Sequence, residues 1–168
     1  MSIVRSVAED LVSIKNLYNS ARAYQTKKGY NVWPIFDDKS ILREIDKGNH
    51  WKILEEDDIV CIFSVLFDDP LIWKEENIKP ALYLHRITIN PLYKGGKYLN
   101  VIKGWARKVC KEKELGFIRM DTWADNSNLS DYYIMSGFTL VGQSTIDKTE
   151  YLPEHYWGIQ VNLFQIAL

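Results

Sequence analysis

A short glycine-containing segment stands between an apolar strand and a helix in the second half of the chain. Residues 94–97 read Lys-Gly-Gly-Lys; they follow Pro91 and precede a helical pattern that begins near Leu99. Backbone N–H groups at a helix start, together with the positive end of the helix dipole, bind anions. Paired glycines let a phosphate approach the backbone closely. The segment therefore predicts a phosphate site, although Gly-Gly between a strand and a helix is also typical of a plain turn.

Two groups able to move protons lie in predicted strands. Asp121 stands near the carboxyl end of the strand 117–123, where ligands of open α/β sheets gather, and it can equally be a surface or capping carboxylate. His85 lies in the strand 81–89, and a neutral imidazole is a suitable base near pH 7. A structural role for His85 is the alternative. The pattern alone leaves both choices open.

Hydrophobic spacing predicts the elements that carry these groups. Strands are predicted at residues 3–7, 51–55, 59–67, 81–89, 117–123, 138–144 and 156–164. Helices are predicted after Glu9-Asp10, from Asp37 or Asp38 to Gly48, around Leu99–Cys110, and from Asn126 to Ser136, with residues 71–80 as a loop. The order β-α-α-β-β-β-α-β-α-β-β indicates an α/β (α+β) fold around a mixed sheet.

Composition limits the classes of function. With 168 residues, 46% of them hydrophobic, the chain suits one domain spanning 1–168. It carries 21 basic and 22 acidic residues, which disfavours a nucleic-acid module, because such proteins usually present a basic face. No secretory segment and no apolar run of about 18 residues is visible, so we expect a cytoplasmic protein that does not enter membranes. We expect it to be a monomer or a homodimer.

The sequence shows no pattern for a metal. The three histidines lack metal-ligand spacing, and two cysteines alone do not make a structural zinc site. Cys61 lies in an apolar run and Cys110 in a helical pattern, so both are predicted to be small core residues in a reducing compartment.

The order and spacing of these features resemble the GNAT superfamily of acyl-CoA-dependent N-acyltransferases. The resemblance covers nearly the whole chain in element order, and its specific motifs span residues 81–142. The most specific part is Tyr133-x-x-x-Gly137-Phe138, with Asn126 seven residues before Tyr133. Pro91-x-Tyr93-Lys94-Gly95 looks like the start of the family's pyrophosphate loop.

The resemblance implies acetyl-CoA (coenzyme A) as the cosubstrate and a mostly antiparallel sheet flanked by helices. Backbone groups of Ile87, Thr88 and Ile89 would pair with the pantetheine arm as if it were another strand. Asn126 would bind coenzyme A where its helix begins. The residues that would surround the pyrophosphate are Lys94, Gly95, Gly96, Lys97, Tyr98, Leu99 and Asn100.

The glycine loop departs from the family's pattern, which reads Arg/Gln-x-x-Gly-x-Gly/Ala. Lys94 stands at its first position, Lys97 replaces the next key glycine and Leu99 the last. A Cβ at those positions crowds the phosphates, while the two lysines add favourable charge. This departure motivates an alternative function, a catalytically inactive domain that binds coenzyme A or a partner.

By the same resemblance, the reaction moves an acetyl group to a primary amine of a small molecule or peptide by direct transfer. Tyr133 is the predicted acid that protonates the departing thiolate, and Asp121 is the first choice of base, directly or through water. His85 is the reserve base. Similar proteins commonly place the loop between the first two helices at the acceptor, so Tyr24, Tyr30, Trp33 and His85 are predicted to contact the substrate, with ordinary packing as the alternative.

Overall fold

Seven strands form one sheet in the order β1-β2-β3-β4-β5-β7-β6 in the computed structural model, which describes residues 1–152 and 154–168. The strands are β1 (Ser2–Arg5), β2 (His50–Glu55), β3 (Asp58–Leu66), β4 (Ala81–Ile89), β5 (Phe117–Trp123), β6 (Thr139–Thr145) and β7 (Gln160–Ala167). The helices are α1 (Leu11–Lys28), α2 (Asp38–Asp46), α3 (Pro70–Trp73), α4 (Tyr98–Glu112) and α5 (Ser127–Met135). The predicted α/β class and element order are confirmed, with α3 added.

The chain forms two compact units. The first comprises Met1–Val65 and His85–Ile102, and the second comprises Leu66–Leu84 and Lys103–Leu168. The prediction of a single domain over 1–168 stays a prediction. No helix within the described ranges is long and apolar enough to cross a membrane.

The first unit is built on the antiparallel strands β1, β2 and β3, and α1 and α2 cover a common core. Ile3 pairs with Ile53, and Ile53 pairs with Cys61 across the next ladder. The inner face of α1 is formed by Ile14, Leu17 and Tyr18, which are buried. They cluster with the buried side chains of Ile41 and Ile62. Helix α2 begins as predicted after Asp37, whose carboxylate accepts a hydrogen bond of 2.6 Å from the Ser40 N–H.

The second unit combines one parallel pairing with two antiparallel pairings. Residues Ala81–Leu84 of β4 pair in parallel with Phe117–Met120 of β5. Strand β7 then pairs antiparallel with both β5 and β6. Because β7 is inserted between β5 and β6, the last strand of the chain fixes the position of β5, on which Asp121 lies.

A fully buried arginine lies at the centre of the second unit. The Arg119 guanidinium donates hydrogen bonds to the Glu76 carbonyl at 2.7 Å and to the Tyr83 hydroxyl at 3.0 Å. Its Nε donates to Gln165 at 3.3 Å, and its Nη2 lies 3.6 Å from the Glu76 carboxylate. Three rings, those of Trp73, Tyr83 and Phe117, lie within 5.8 Å of the guanidinium carbon. These contacts offset the desolvation of the charge.

Two predicted segments differ most from the structure. Residues 71–80 contain α3 and the 3-10 segment Lys74–Ile78 rather than a loop, and Trp73 is buried against Tyr83 with ring centroids 5.7 Å apart. Strand β7 begins at Gln160 rather than at Tyr156, because Tyr156 ends a 3-10 turn and Gly158 follows with φ +76°. Neither change alters the order of the major elements.

Both cysteines are small core residues, as predicted. Cys61 and Cys110 are buried and reduced. Burial raises the pKa of the Cys61 thiol to about 12 and that of the Cys110 thiol to about 11. Thiols with such pKa values are protonated and unreactive near pH 7.

Candidate active site

The second half of β4 departs from regular strand geometry. Arg86 has a φ of +53°, a conformation that residues other than glycine rarely adopt. The Thr88 hydroxyl donates a hydrogen bond of 3.1 Å to the Arg86 carbonyl, and Thr88 is buried. Ile87 and Ile89 are partly exposed. The parallel register with β5 covers Ala81–Leu84, so the three residues predicted to meet the pantetheine lie beyond it.

The loop after β4 is fastened to the β2–β3 hairpin. The Asn90 N–H donates to the Val60 carbonyl at 2.9 Å, and its side-chain amide donates to the Ile59 carbonyl at 3.0 Å. The Tyr93 hydroxyl donates a hydrogen bond to the Asp58 carboxylate. These contacts fix both ends of the short 3-10 turn Pro91–Tyr93, which leads directly into the glycine segment.

The two adjacent glycines are needed for different reasons. Gly95 has a φ of +87° and is exposed, so its backbone conformation favours glycine. Gly96 has an ordinary φ, but a Cβ built on it would lie 2.2 Å from Cε2 of Tyr98. The Tyr98 ring is buried, with 3% of the residue exposed, and has little room to move. Gly95 thus serves the turn, whereas Gly96 serves the packing of the first residue of α4.

The start of α4 is flanked by exposed lysine side chains. Tyr98 and Leu99 are buried, so any contact they make with a phosphate comes from their backbone N–H groups. Lys94, Lys97 and Asn100 are exposed. The Lys97 carbonyl accepts the Asn100 N–H at 3.0 Å, which starts the helix at the predicted place. The residues predicted for the pyrophosphate are consecutive in sequence and form the turn before α4 and the first residues of the helix.

Lys97 does not occupy a backbone conformation that requires glycine. Among residues 1–152 and 154–168, the non-glycine positions with positive φ are Glu56, Lys74, Arg86 and Glu114. The departure from the family's glycine pattern at Lys97 is therefore sterically tolerable for the chain itself.

Asp121 and Asn126 are positioned by β5 and by the start of α5. Asp121 is partly buried and lies opposite Leu163 of β7 in the antiparallel register. The Asn126 side-chain oxygen accepts a hydrogen bond of 3.0 Å from the Leu129 N–H, which makes Asn126 the N-cap of α5. Because the oxygen caps the helix, a contact from Asn126 to coenzyme A would use its amide nitrogen or its backbone.

Tyr133 is buried and its neighbour Tyr132 is not. Tyr133 is 8% exposed, and its ring packs against Phe138 and Phe164 with centroids 6.1 Å and 5.6 Å apart. Tyr132 is 44% exposed. The difference follows from the ~100° rotation between successive helical residues. The burial agrees with the sequence motif, which singled out Tyr133 by its spacing to Gly137-Phe138.

The predicted acceptor residues occupy different environments. Tyr24 is 52% exposed on α1, next to Lys28. Trp33 packs on Tyr18 with ring centroids 6.2 Å apart, and its backbone is held by Arg22 and Gln25 of α1 at 2.9 Å each. Trp33 therefore has a packing role, whatever else it contacts. Tyr30 and His85 are partly exposed, Tyr30 at the start of the same loop and His85 on β4.

A buried polar network in the first unit was not predicted. The His50 ring lies between two hydroxyls, with Ser6 Oγ 2.8 Å from Nδ1 and Tyr18 Oη 3.1 Å from Nε2. Burial lowers the pKa of His50 to about 4, and the charge of Arg86 acts in the same direction. Burial raises the pKa of Tyr18, while the same arginine opposes that rise. Contacts across separate elements create this network, so strand periodicity carried no signal for it.

The depressed pKa of His50 predicts an acid-dependent loss of stability. Between the unfolded value near pH 6.5 and the folded value near pH 4, the unfolded chain binds a proton that the folded chain excludes. Excluding this proton costs no stability above about pH 6.5. As the pH drops to 4, it lowers the free energy of unfolding by about 3 kcal/mol. Denaturant titrations of the wild type and His50→Gln from pH 4 to pH 7.5 measure it. Equal pH slopes for the two proteins would contradict this assignment.

Comparison with known proteins gives the same fold. No protein-family model matches the chain. The uncharacterized N-acetyltransferase YesJ of Bacillus subtilis is 23% identical over 145 residues, covering 82% of this chain and 81% of YesJ. A GNAT-family acetyltransferase from Listeria monocytogenes superposes with a TM-score of 0.76 at 22% identity, over 99% of this chain and 94% of its own.

A further solved structure carries a ligand. The structure of yncA from Salmonella typhimurium with its cofactor acetyl-CoA superposes with a TM-score of 0.69 at 12% identity, over 100% of this chain and 94% of its own. These comparisons confirm that the chain has the fold of the GNAT acetyltransferases.

Proposed function

We propose that this chain, which has the fold of the GNAT acetyltransferases, moves an acetyl group from acetyl-CoA to a primary amine of a small molecule or peptide. The observation that carries the proposal is the segment from Lys94 to Asn100. It combines a positive-φ glycine, the start of a 15-residue helix and two exposed lysines directly after β4. Backbone N–H groups and lysine charge in this arrangement suit a pyrophosphate.

The residues present fit coenzyme A. A Cβ on Gly95 meets no described atom within 4 Å, so the backbone there is open to a phosphate. Ile87, Thr88 and Ile89 would pair their backbone groups with the pantetheine, a role supported by their place beyond the register with β5. Asn126 would contribute at the start of α5. Acetyl-CoA supplies an activated thioester, and the chain supplies orientation and proton transfer.

Proton transfer requires a base for the amine and an acid for the departing thiolate. An alkylamine with a pKa near ~10.4 is mostly charged at pH 7, so its proton must be removed before attack. We assign the base to Asp121, directly or through water, with His85 in reserve. We assign the acid to Tyr133. Tyr24, Tyr30, Trp33 and His85 would line the acceptor site.

The rival function is a domain that binds coenzyme A, or a partner, without turnover. The observation behind it is Lys97 at a position where the family carries glycine. Calorimetric titration with acetyl-CoA followed by a thiol-release assay separates the two functions. The amine panel contains polyamines, amino acids, aminoglycosides and peptide N-termini. Thiol release with any amine supports catalysis, whereas binding without release over the whole panel supports the rival.

Asp121→Asn should lower kcat/KM about tenfold while acetyl-CoA affinity stays unchanged, because water can replace part of a positioned base. The wild-type rate should rise with pH as the base loses its proton. This rise should be absent from the pH profile of Asp121→Asn. Asp131→Asn removes an exposed carboxylate from α5 and serves as the matched control. A wild-type rate and profile for Asp121→Asn would transfer the role to His85 or to water.

A further inference from the structure

Arg86 is a cation held in an unfavourable backbone conformation. Its φ of +53° places a long β-unbranched side chain in the left-handed region, in the middle of a strand. Such conformations destabilise a fold and persist where the surroundings impose them, often at ligand sites. Thr88 holds the strained carbonyl through its hydroxyl. The strained backbone therefore marks Arg86 as a candidate ligand-binding residue.

The guanidinium lies over an aromatic ring and acts electrostatically on the buried Tyr18 hydroxyl and His50 ring, rather than pairing with a carboxylate. Its central carbon is 4.5 Å from the centroid of the Phe36 ring, in the loop between α1 and α2. The Glu44 carboxylate, which acts electrostatically on the Tyr18 hydroxyl, accepts a hydrogen bond from Asn49 at 3.3 Å. Within the described part of the chain, the ion pairs closer than 4 Å involve other cations. Arg86 is only partly exposed, so its charge is incompletely hydrated.

The position of Arg86 in β4 relates it to the reacting end of the cosubstrate. This step rests on the proposed function. The pyrophosphate segment follows β4, so a pantetheine arm along Ile89 to Ile87 runs back along the strand. Its acyl end then reaches the next residue back, which is Arg86. The amine that attacks this acyl group must approach the same place.

We infer that Arg86 is the acceptor-site receptor for a carboxylate, and that the acceptor is an amine bearing a carboxylate close to the amino group. A guanidinium fork matches the two oxygens of a carboxylate. The face of Phe36 orients the fork.

The test compares matched acceptors that differ only in charge. The probes are L-leucine, L-phenylalanine and L-glutamate, each against its α-carboxamide, in the thiol-release assay and in calorimetric titration. The wild type should prefer the carboxylate forms at least tenfold. Arg86→Asn should abolish the preference while carboxamide turnover and acetyl-CoA affinity remain unchanged. Asparagine tolerates positive φ, so this variant retains the fold.

Arg5→Gln is the matched control, because the Arg5 guanidinium also lies over a ring, that of Trp51 at 5.4 Å, in the same unit. It should leave the preference intact. Equal use or binding of carboxylates and carboxamides by the wild type would overturn the inference, as would a preference that survives Arg86→Asn. If acetyl-CoA does not bind, the proposed function fails, and titration of the probes into the free protein still tests Arg86.

Discussion

Tyr133→Phe retains the fold and the affinity for acetyl-CoA but turns over about a hundredfold more slowly. The ring still packs on Phe138 and Phe164, and the substitution removes only one hydroxyl. Positioned acids contribute roughly 10² or more to rates, so their loss dominates kcat. Steady-state kinetics with a saturating amine, together with acetyl-CoA titration, measure the two effects separately.

Tyr132→Phe is the internal control. Tyr132 is adjacent in sequence, identical in chemistry and 44% exposed, against 8% for Tyr133. It should keep the wild-type rate. If Tyr132→Phe loses activity and Tyr133→Phe keeps it, the assignment is displaced by one residue. If both variants are fully active, the thiolate leaves without help from either phenol.

Gly95→Asp weakens acetyl-CoA binding about thirtyfold. A unit charge about 6 Å from a phosphate charge is repelled by about 2–3 kcal/mol at an effective dielectric of about 20, and exposure to salt reduces this somewhat. Calorimetric titration at two ionic strengths measures the loss, which should shrink at high salt.

Gly95→Asn separates charge from backbone strain. Asparagine has nearly the same shape as aspartate, and both tolerate the φ of +87° better than most residues with a Cβ. Its affinity should lie near that of the wild type. If Gly95→Asp binds acetyl-CoA as tightly as Gly95→Asn, the phosphates bind elsewhere on the protein.

Local signals predicted the elements that carry the candidate site. The observed bounds of β4 and β5, Ala81–Ile89 and Phe117–Trp123, are those predicted, because Asn90-Pro91 and Gly116 punctuate apolar runs. Helix α3 escaped prediction because its four residues are too few to show a helical period. The start of β7 was misplaced because aromatic residues in a turn resemble those of a strand.

The finer geometry of the site could not be predicted from local patterns. The requirement for glycine at position 96 comes from the buried Tyr98 ring, and only coordinates reveal how close that ring lies. The positive φ of Arg86 likewise leaves no trace in the alternation of β4. His50 pairs with Ser6 and Tyr18 over 44 and 32 residues of chain. Such contacts depend on the assembled sheet, whereas sequence periodicity reports only which face a residue occupies.

The buried Arg119 restricts how this sequence can drift over evolutionary time. Replacing the arginine alone leaves the Tyr83 hydroxyl, the Glu76 carbonyl and the Gln165 amide without their cationic donor inside the fold. Replacing one partner alone leaves a buried charge undersatisfied. Each single step is therefore deleterious until its neighbours have changed, and the effects of the substitutions are not additive. Descendants of this chain should keep Arg119 and Tyr83 together or lose them together, so these positions form one epistatic unit of inheritance.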